Sequence, residues 1–340
     1  MTDAKGTSAH LIINPAAGSA ATLTESLTRA ARERGIGMRV LEPGEDATFA
    51  ALEAADAGAE SLAVAGGDGT VAGVAVERNL PLVVVPTGTL NHFARDLGLD
   101  LARPLAALDA LASRHHERRV DVGRINGRPF INNVSLGLYA EMLADPSYRQ
   151  DKLGVAQAKL QAAFSDPKLR GALRITPPDE APLESIVAVV VSNNPYEFAR
   201  WDRLGQRHRL DAGTLQVSVL DASTLDELER LLAGTLLGAI EFRPALRHWT
   251  SERLETGILG EVVRAGVDGE PITLEAPLRF SVDQGALRVL VPEGSSMSRQ
   301  VPPLEAAWHA ARALSRWLRP PAGSQRADRR YPIEGDRTEL

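Results

Sequence analysis

Two short apolar runs, Ser61-Leu-Ala-Val-Ala65 and Leu82-Val-Val-Val85, constrain the fold more than any other feature of this chain. Neither alternates with polar residues, so each reads as a strand buried on both faces, and such strands belong to parallel sheets covered by helices. The flanking segments agree. Leu11 to Ile13 is a short strand that ends in the breaker-rich loop Asn14-Pro15-Ala16-Ala17-Gly18. A helix follows, with Thr22 and Glu25 spaced as a capping box and Gly35 as its stop. Met38 to Leu41 is a second strand, and Asp46 opens a helix that runs to about Gly58. Gly66-Gly67-Asp68-Gly69-Thr70 leads from the third strand into a helix, and Pro86 to Asn91 leads from the fourth into another. Four such units predict a mostly parallel, helix-covered α/β sheet.

Near residue 119 the period changes. Arg119 to Ile125 and Arg128 to Val134 flank Asn126-Gly127, the strongest short hairpin signal, so antiparallel structure begins here. A helical stretch is expected around Asp151 to Phe164, and β-type runs recur at Leu173 to Thr176, Ser185 to Ser192, Leu215 to Leu220, Glu261 to Val267, Ile272 to Leu274 and Leu287 to Val291. A length of 340 residues suits two domains. The expected division is a nucleotide-binding α/β domain over 1–120, a β-rich domain over 121–292, an amphipathic helix over 293–320 and a polar tail over 321–340.

Composition removes several functions. The net charge of −6 argues against a general nucleic-acid binder. The absence of cysteine excludes disulfides, thiolate zinc sites and a cysteine nucleophile, and agrees with a reducing, cytoplasmic location. The start, MTDAKGTSAH, leads into only three apolar residues and is no secretory leader, and the longest apolar run, Ile186 to Val191, is far below the roughly 18 residues of a spanning helix.

The loops after the first, third and fourth strands are where ligands of open α/β sheets bind. Gly66 to Thr70 lacks three side chains beside a helix start, exposing N–H groups suited to a phosphate chain. Asp68 among them would repel phosphates unless a divalent cation such as Mg²⁺ lay between, and the competing reading is a tight turn with a capping aspartate. No lysine lies between Lys5 and Lys152, so the chain has no G-x-x-x-x-G-K-[ST] loop there. Gly67-x-Gly69-x-x-Ala72 fits a loose dinucleotide pattern, yet the next strand ends without an acid to hold a ribose. The histidines form no zinc motif.

Asn14-Pro-Ala-Ala-Gly18, Gly66-Gly-Asp-Gly-Thr70, Pro86-Thr-Gly-Thr-Leu-Asn-His-Phe-Ala-Arg95, Val120 to Asn132 and Val267-Asp-Gly-Glu-Pro271 together resemble, in order, the diacylglycerol kinase catalytic-domain family, which includes sphingosine kinases and bacterial lipid kinases. The resemblance implies a three-layer α/β domain like that of phosphofructokinases and NAD kinases, followed by a β-sandwich, with ATP between them. It makes Asn14, Pro15, Ala16, Ala17, Gly18, Gly66, Gly67, Asp68, Gly69, Thr70 and Thr89 nucleotide contacts, with Asn91 ordering the third loop. Asp68 and Asp121 would belong to an acidic network linked to Mg²⁺, with Asp68 as the metal residue, and Glu270 would accept the proton of a lipid hydroxyl. By spacing alone Asp268-Gly269-Glu270 reads as an exposed hairpin turn.

The chain departs from the family pattern at His92, where aspartate is usual, at Ala72, where asparagine is common, at Leu41-Glu42, where relatives carry a threonine, and at Asp211-Ala212-Gly213, one position off a second metal motif. The implied activity is ATP-dependent phosphorylation of diacylglycerol or a related lipid at the inner face of the membrane. The competing reading is a catalytically weak nucleotide- and lipid-binding regulator. Leu304, Ala307, Trp308, Ala311, Leu314 and Leu318 form a helical stripe with Arg312, Arg316 and Arg319 beside it, and residues 312–330 carry six arginines against Asp328. That segment suits an anionic leaflet, or a helix packed back on the first domain. A homodimer is compatible with the sequence.

Overall fold

The computed structural model describes residues 8–74, 78–89, 91–111, 115–147, 151, 155, 158–159, 162, 173–183, 186–196, 207–221, 246–258 and 260–295, all within one compact unit, Met1–Val301. Leu90, most of the stretch expected to be helical around 151–164, and the C-terminal stripe and tail lie outside the described residues.

The first third of the chain is the expected alternation. β1 (Ala9–Ile13), α1 (Ala20–Glu33), β2 (Gly37–Val40), α2 (Ala47–Asp56), β3 (Ser61–Gly66), α3 (Asp68–Val74), β4 (Leu82–Pro86) and α4 (His92–Asp96) follow one another, and a 3-10 helix spans Pro104–Leu111. β2, β1, β3 and β4 lie side by side and parallel. Every residue of β3 and β4 is buried, as the unbroken apolar runs require. Alternate residues serve the two faces. Ile12, Val64 and Val84 pack with Ala50 and Ala54 of α2 and Phe93 of α4, while Leu11, Ile13 and Val85 pack with Leu27 of α1 and Leu108. Each such fully buried Leu, Ile, Val or Phe contributes about 1.5–3 kcal/mol.

The Thr22–Glu25 capping box does not form. α1 begins earlier, at Ala20, and Thr22 Oγ1 instead donates back to the Ser19 carbonyl at 3.0 Å. Asp46 does open α2, accepting the Thr48 N–H at 2.8 Å.

The antiparallel part comprises β5 (His115–Ile125), β6 (Arg128–Phe130), β7 (Asn133–Gly137), α5 (Leu138–Leu143), β8 (Leu173–Arg174), β9 (Ile186–Asn193), β10 (Leu215–Asp221), β11 (Leu246–Ser251), β12 (Arg253–Ile258), β13 (Val262–Val267), β14 (Glu270–Glu275) and β15 (Leu278–Pro292). The Asn126-Gly127 hairpin forms with both residues at positive φ, 47° and 82°. The run expected as one strand, Arg128 to Val134, is two strands in different sheets. β6 pairs with β5, the chain breaks pairing at Ile131-Asn132, and β7 enters a second, antiparallel sheet ordered β11-β10-β9-β7-β13-β14.

β15 returns to the first sheet, parallel to β4 and antiparallel to β5, and also pairs with β12, which carries β8. Phe130, Phe280, Leu278, Val189, Val217 and Ala265 fill the core between the two sheets. The architecture is therefore a helix-covered α/β sheet joined to a β-sandwich.

Candidate active site

Three loops at the carboxyl ends of β1, β3 and β4 interlock, and glycine is what lets them. Gly18 has φ of +50°, and a Cβ there would fall on the Thr87 carbonyl oxygen and 2.6 Å from Gly88 C. A Cβ on Gly88 would meet Gly67 Cα at 2.6 Å. Hydrogen bonds close the contact: Ser19 N donates to Thr87 O (2.8 Å), Gly88 N to Gly66 O (3.1 Å), Asn14 Nδ2 to Thr70 Oγ1 (3.0 Å) and Asn91 Nδ2 to Gly88 O (2.6 Å). The ordering role expected of Asn91 corresponds to that last bond. Pro15, Ala16, Ala17 and Thr89 lie in the first and third of these loops, and Asn14 Oδ1 caps the turn by accepting Ala16 N at 3.0 Å.

Asp68 starts α3, and its carboxylate caps α4: Oδ2 accepts His92 N at 3.0 Å and Oδ1 accepts Phe93 N at 3.3 Å. The aspartate in the turn is thus a capping residue, but of the neighbouring helix rather than its own. His92 supplies a backbone donor to Asp68 in place of an acid. Burial lowers the pKa of its imidazole, with the nearby Asp68 charge acting the other way.

Asp268 and Gly269 form the two-residue turn between β13 and β14, at φ of 50° and 87°, so the hairpin reading of this segment holds. The same turn delivers Glu270 to the phosphate-type loop. A Cβ on Gly69 would lie 2.5 Å from Glu270 Oε1, so the bare backbone of Gly69 is the space the Glu270 carboxylate occupies. Asn14, Gly69, Thr70 and Glu270 line one cleft of about 370 Å³, together with Thr48 and Arg128.

Asp268 was visible in the sequence only as part of the turn, and its function in the structure is to tie the site together. Its carboxylate accepts three successive backbone N–H groups, from Ile131 (2.9 Å), Asn132 (2.8 Å) and Asn133 (3.1 Å), where the chain crosses between sheets. Desolvation, with a contribution from the Asp68 charge, pushes its carboxyl up to about 7 against those three donors. Arg207, unmarked in the sequence, is fully buried. It donates Nε to Asp96 Oδ2 (2.7 Å), Nη1 to Ile131 O (2.6 Å) and Asn193 O (3.0 Å), and Nη2 to Asn132 Oδ1 (2.7 Å), beneath the Tyr196 ring. It therefore braces α4 against the segment that holds Asp268.

Asp121 stands apart from the cleft lining. It is 1% exposed, with Oδ2 accepting Gly213 N at 2.7 Å and Oδ1 accepting Gly285 N at 2.8 Å, the latter at the irregularity in β15. Asp211 pairs with Arg209 at 2.9 Å on the surface.

No group of three or more His, Cys, Asp or Glu among the described residues forms a metal cage.

The diacylglycerol kinase catalytic domain model matches residues 8–125, the segment that carries all three interlocked loops. A Pseudomonas aeruginosa protein (strain PAO1) named "Probable lipid kinase YegS-like" is 33% identical over 289 residues, covering 80% of this chain and 91% of the relative. The chain belongs to the diacylglycerol kinase catalytic-domain family. A diacylglycerol kinase of Bacillus subtilis strain 168 is 30% identical over 241 residues, 66% of this chain and 76% of that protein. The crystal structure of a diacylglycerol kinase from Bacillus anthracis strain Sterne, 21% identical with a TM-score of 0.56, covers 86% of this chain and 100% of its own, and another chain from that organism reaches 0.62 at 23% identity. These structures share the fold, α/β sheet and sandwich together.

Proposed function

We propose that this protein transfers the γ-phosphoryl group of ATP to a hydroxyl of a diacylglycerol or related lipid, with Glu270 as the base. Its family makes it a phosphotransferase of the lipid-kinase type. The observation that carries the residue assignment is the seating of the Glu270 carboxylate against Gly69, inside a cleft that also contains Asn14 and Thr70. A lipid alcohol is a weak nucleophile, and a carboxylate without another partner among the described residues can take its proton.

In this reading the Gly66–Thr70 backbone, the Asn14 amide and the neighbouring loops bind the triphosphate. As the lipid oxygen bonds to the γ-phosphorus its proton passes to Glu270. The bond from that phosphorus to the β-phosphate oxygen breaks, and the electron pair leaves on ADP. Asp68 would hold Mg²⁺, which when bound neutralises phosphate charge. Asp68 also fixes the start of α4, and Asp121 fixes the Gly213 and Gly285 loops. The lipid is reached at a membrane surface. No helix among the described residues is long and apolar enough to cross a bilayer.

The test is transfer of label from γ-labelled ATP into chloroform-extractable product with mixed bacterial lipids. The expected result is labelled lipid with wild type and a loss of at least about 10²-fold in Glu270→Gln. Equal incorporation by the two proteins removes Glu270 from the mechanism, and label only in the aqueous phase removes the lipid acceptor. Mass spectrometry of the extract identifies which lipid is phosphorylated.

A further inference from the structure

The charge around the cleft is one-sided. Glu45, Asp46, Asp268 and Glu270 contribute four carboxylates to its lining, and Arg128 is the lone cationic side chain among the described lining residues. The other acids have local partners. Glu45 pairs with Arg39, which also pairs with Glu53; Asp46 caps α2; and Asp268 is held by three backbone donors. Arg128 has no ion pair among the described residues and is exposed.

A triphosphate entering this cleft adds several further negative charges, and the chain has no lysine from residue 6 to residue 151 to meet them. Phosphoryl transfer is catalysed largely by positioning and by cationic contacts to the transferring group. Resting on the kinase reading above, we infer that Arg128 contacts the γ-phosphoryl oxygens of the bound nucleotide, opposite the base.

The local structure fixes the backbone that carries the arginine in the wall of the cleft. Arg128 follows directly on the Asn126-Gly127 turn, and its backbone pairs with Ile125. The turn is pinned on both sides: Asn126 Oδ1 accepts Arg279 N (2.8 Å), Asn126 Nδ2 donates to Glu275 O (2.8 Å), and Arg124 Nη1 donates to Gly127 O (2.9 Å). Three to five residues downstream, the amides of Ile131, Asn132 and Asn133 grip Asp268, two residues before Glu270. Arg128 and Glu270 are therefore carried by one hydrogen-bonded unit, and a planar five-donor guanidinium suits a phosphoryl group better than a point charge does.

The experiment compares ATP and ADP affinity by calorimetry, in the presence of Mg²⁺, for wild type, Arg128→Ala and Arg128→Lys, alongside steady-state phosphorylation of dioleoylglycerol in mixed micelles. The expected result is that Arg128→Ala lowers the preference for ATP over ADP by about tenfold or more while ADP affinity stays within about twofold, and that kcat falls by about 10²-fold or more, with partial recovery in the lysine variant. An unchanged ATP-to-ADP ratio, or parallel weakening of both nucleotides, overturns the inference. Because the ratio is read without lipid turnover, wild-type protein that binds both nucleotides and phosphorylates no lipid refutes the lipid acceptor alone. Wild-type protein that binds neither nucleotide refutes the kinase reading and this inference with it.

Discussion

Replacing Arg207 by methionine removes four hydrogen bonds and one ion pair from a site with no solvent to replace them. The guanidinium is 0% exposed at its side chain and Asp96 5%, so the aspartate left behind is a buried charge without its partner. Breaking a buried pair from one side costs about 3–5 kcal/mol, and the stranded Ile131, Asn193 and Asn132 acceptors place the expected loss in the upper part of that range. Removing both charges is a different perturbation. Arg207→Met with Asp96→Leu leaves no unpaired ion, so the double variant is expected to be less destabilised than the two single variants summed, by at least about 2 kcal/mol. Urea unfolding followed by circular dichroism, with midpoints and slopes compared across the four proteins, measures this coupling. Arg207→Met within about 1 kcal/mol of wild type, or strict additivity in the double variant, would show that α4 and the 131–133 segment are not braced by this residue.

Three other outcomes follow from the same geometry. Gly69→Ala drives a Cβ to 2.5 Å from Glu270 Oε1, and because that atom ends a flexible side chain the expected effect is loss of kcat by about tenfold or more with the urea midpoint unchanged. Gly18→Ala meets backbone instead, at a φ of +50°, and is expected to destabilise by at least about 2 kcal/mol. For pH, Asp268 binds its proton more tightly folded than unfolded, so its contribution is full below 3.8 and is lost as pH rises through about 7. His92 works oppositely. Its folded value lies below the ordinary 6.5, so the unfolded chain binds the extra proton and stability falls as pH drops below that value. Midpoints measured from pH 4 to 8 should lose the first dependence in Asp268→Asn and the second in His92→Gln.

Much of the fold was legible because its signals are local. The unbroken apolar runs of β3 and β4, Asp46 at its helix start and Asn126-Gly127 at its hairpin each act within a few residues. The errors have equally physical origins. Thr22 and Glu25 have capping-box spacing, but Ser19, docked onto Thr87, is the N-cap, three residues before Thr22. Arg128 to Val134 reads as one strand, since nothing in its own side chains records that Asp268, more than 130 residues away, draws three of its amides out of pairing. β11 and β12 carry too little alternation to be marked. Arg207 resembled any other arginine of an arginine-rich chain, because burial and partners from three distant segments distinguish it.

Sequence alone determined the chain's family, the order of its α/β units and the glycine-rich loops on one sheet edge, because turn chemistry and hydrophobic period are written in neighbouring residues. Only the tertiary structure decided that Asp68 caps α4, that Asp121 staples two loops away from the cleft, and that Glu270 lies on Gly69 with Arg128 in the same wall. Those relations join positions up to some two hundred residues apart. They come into being when the two sheets pack and leave each buried polar group to find its partner across the fold.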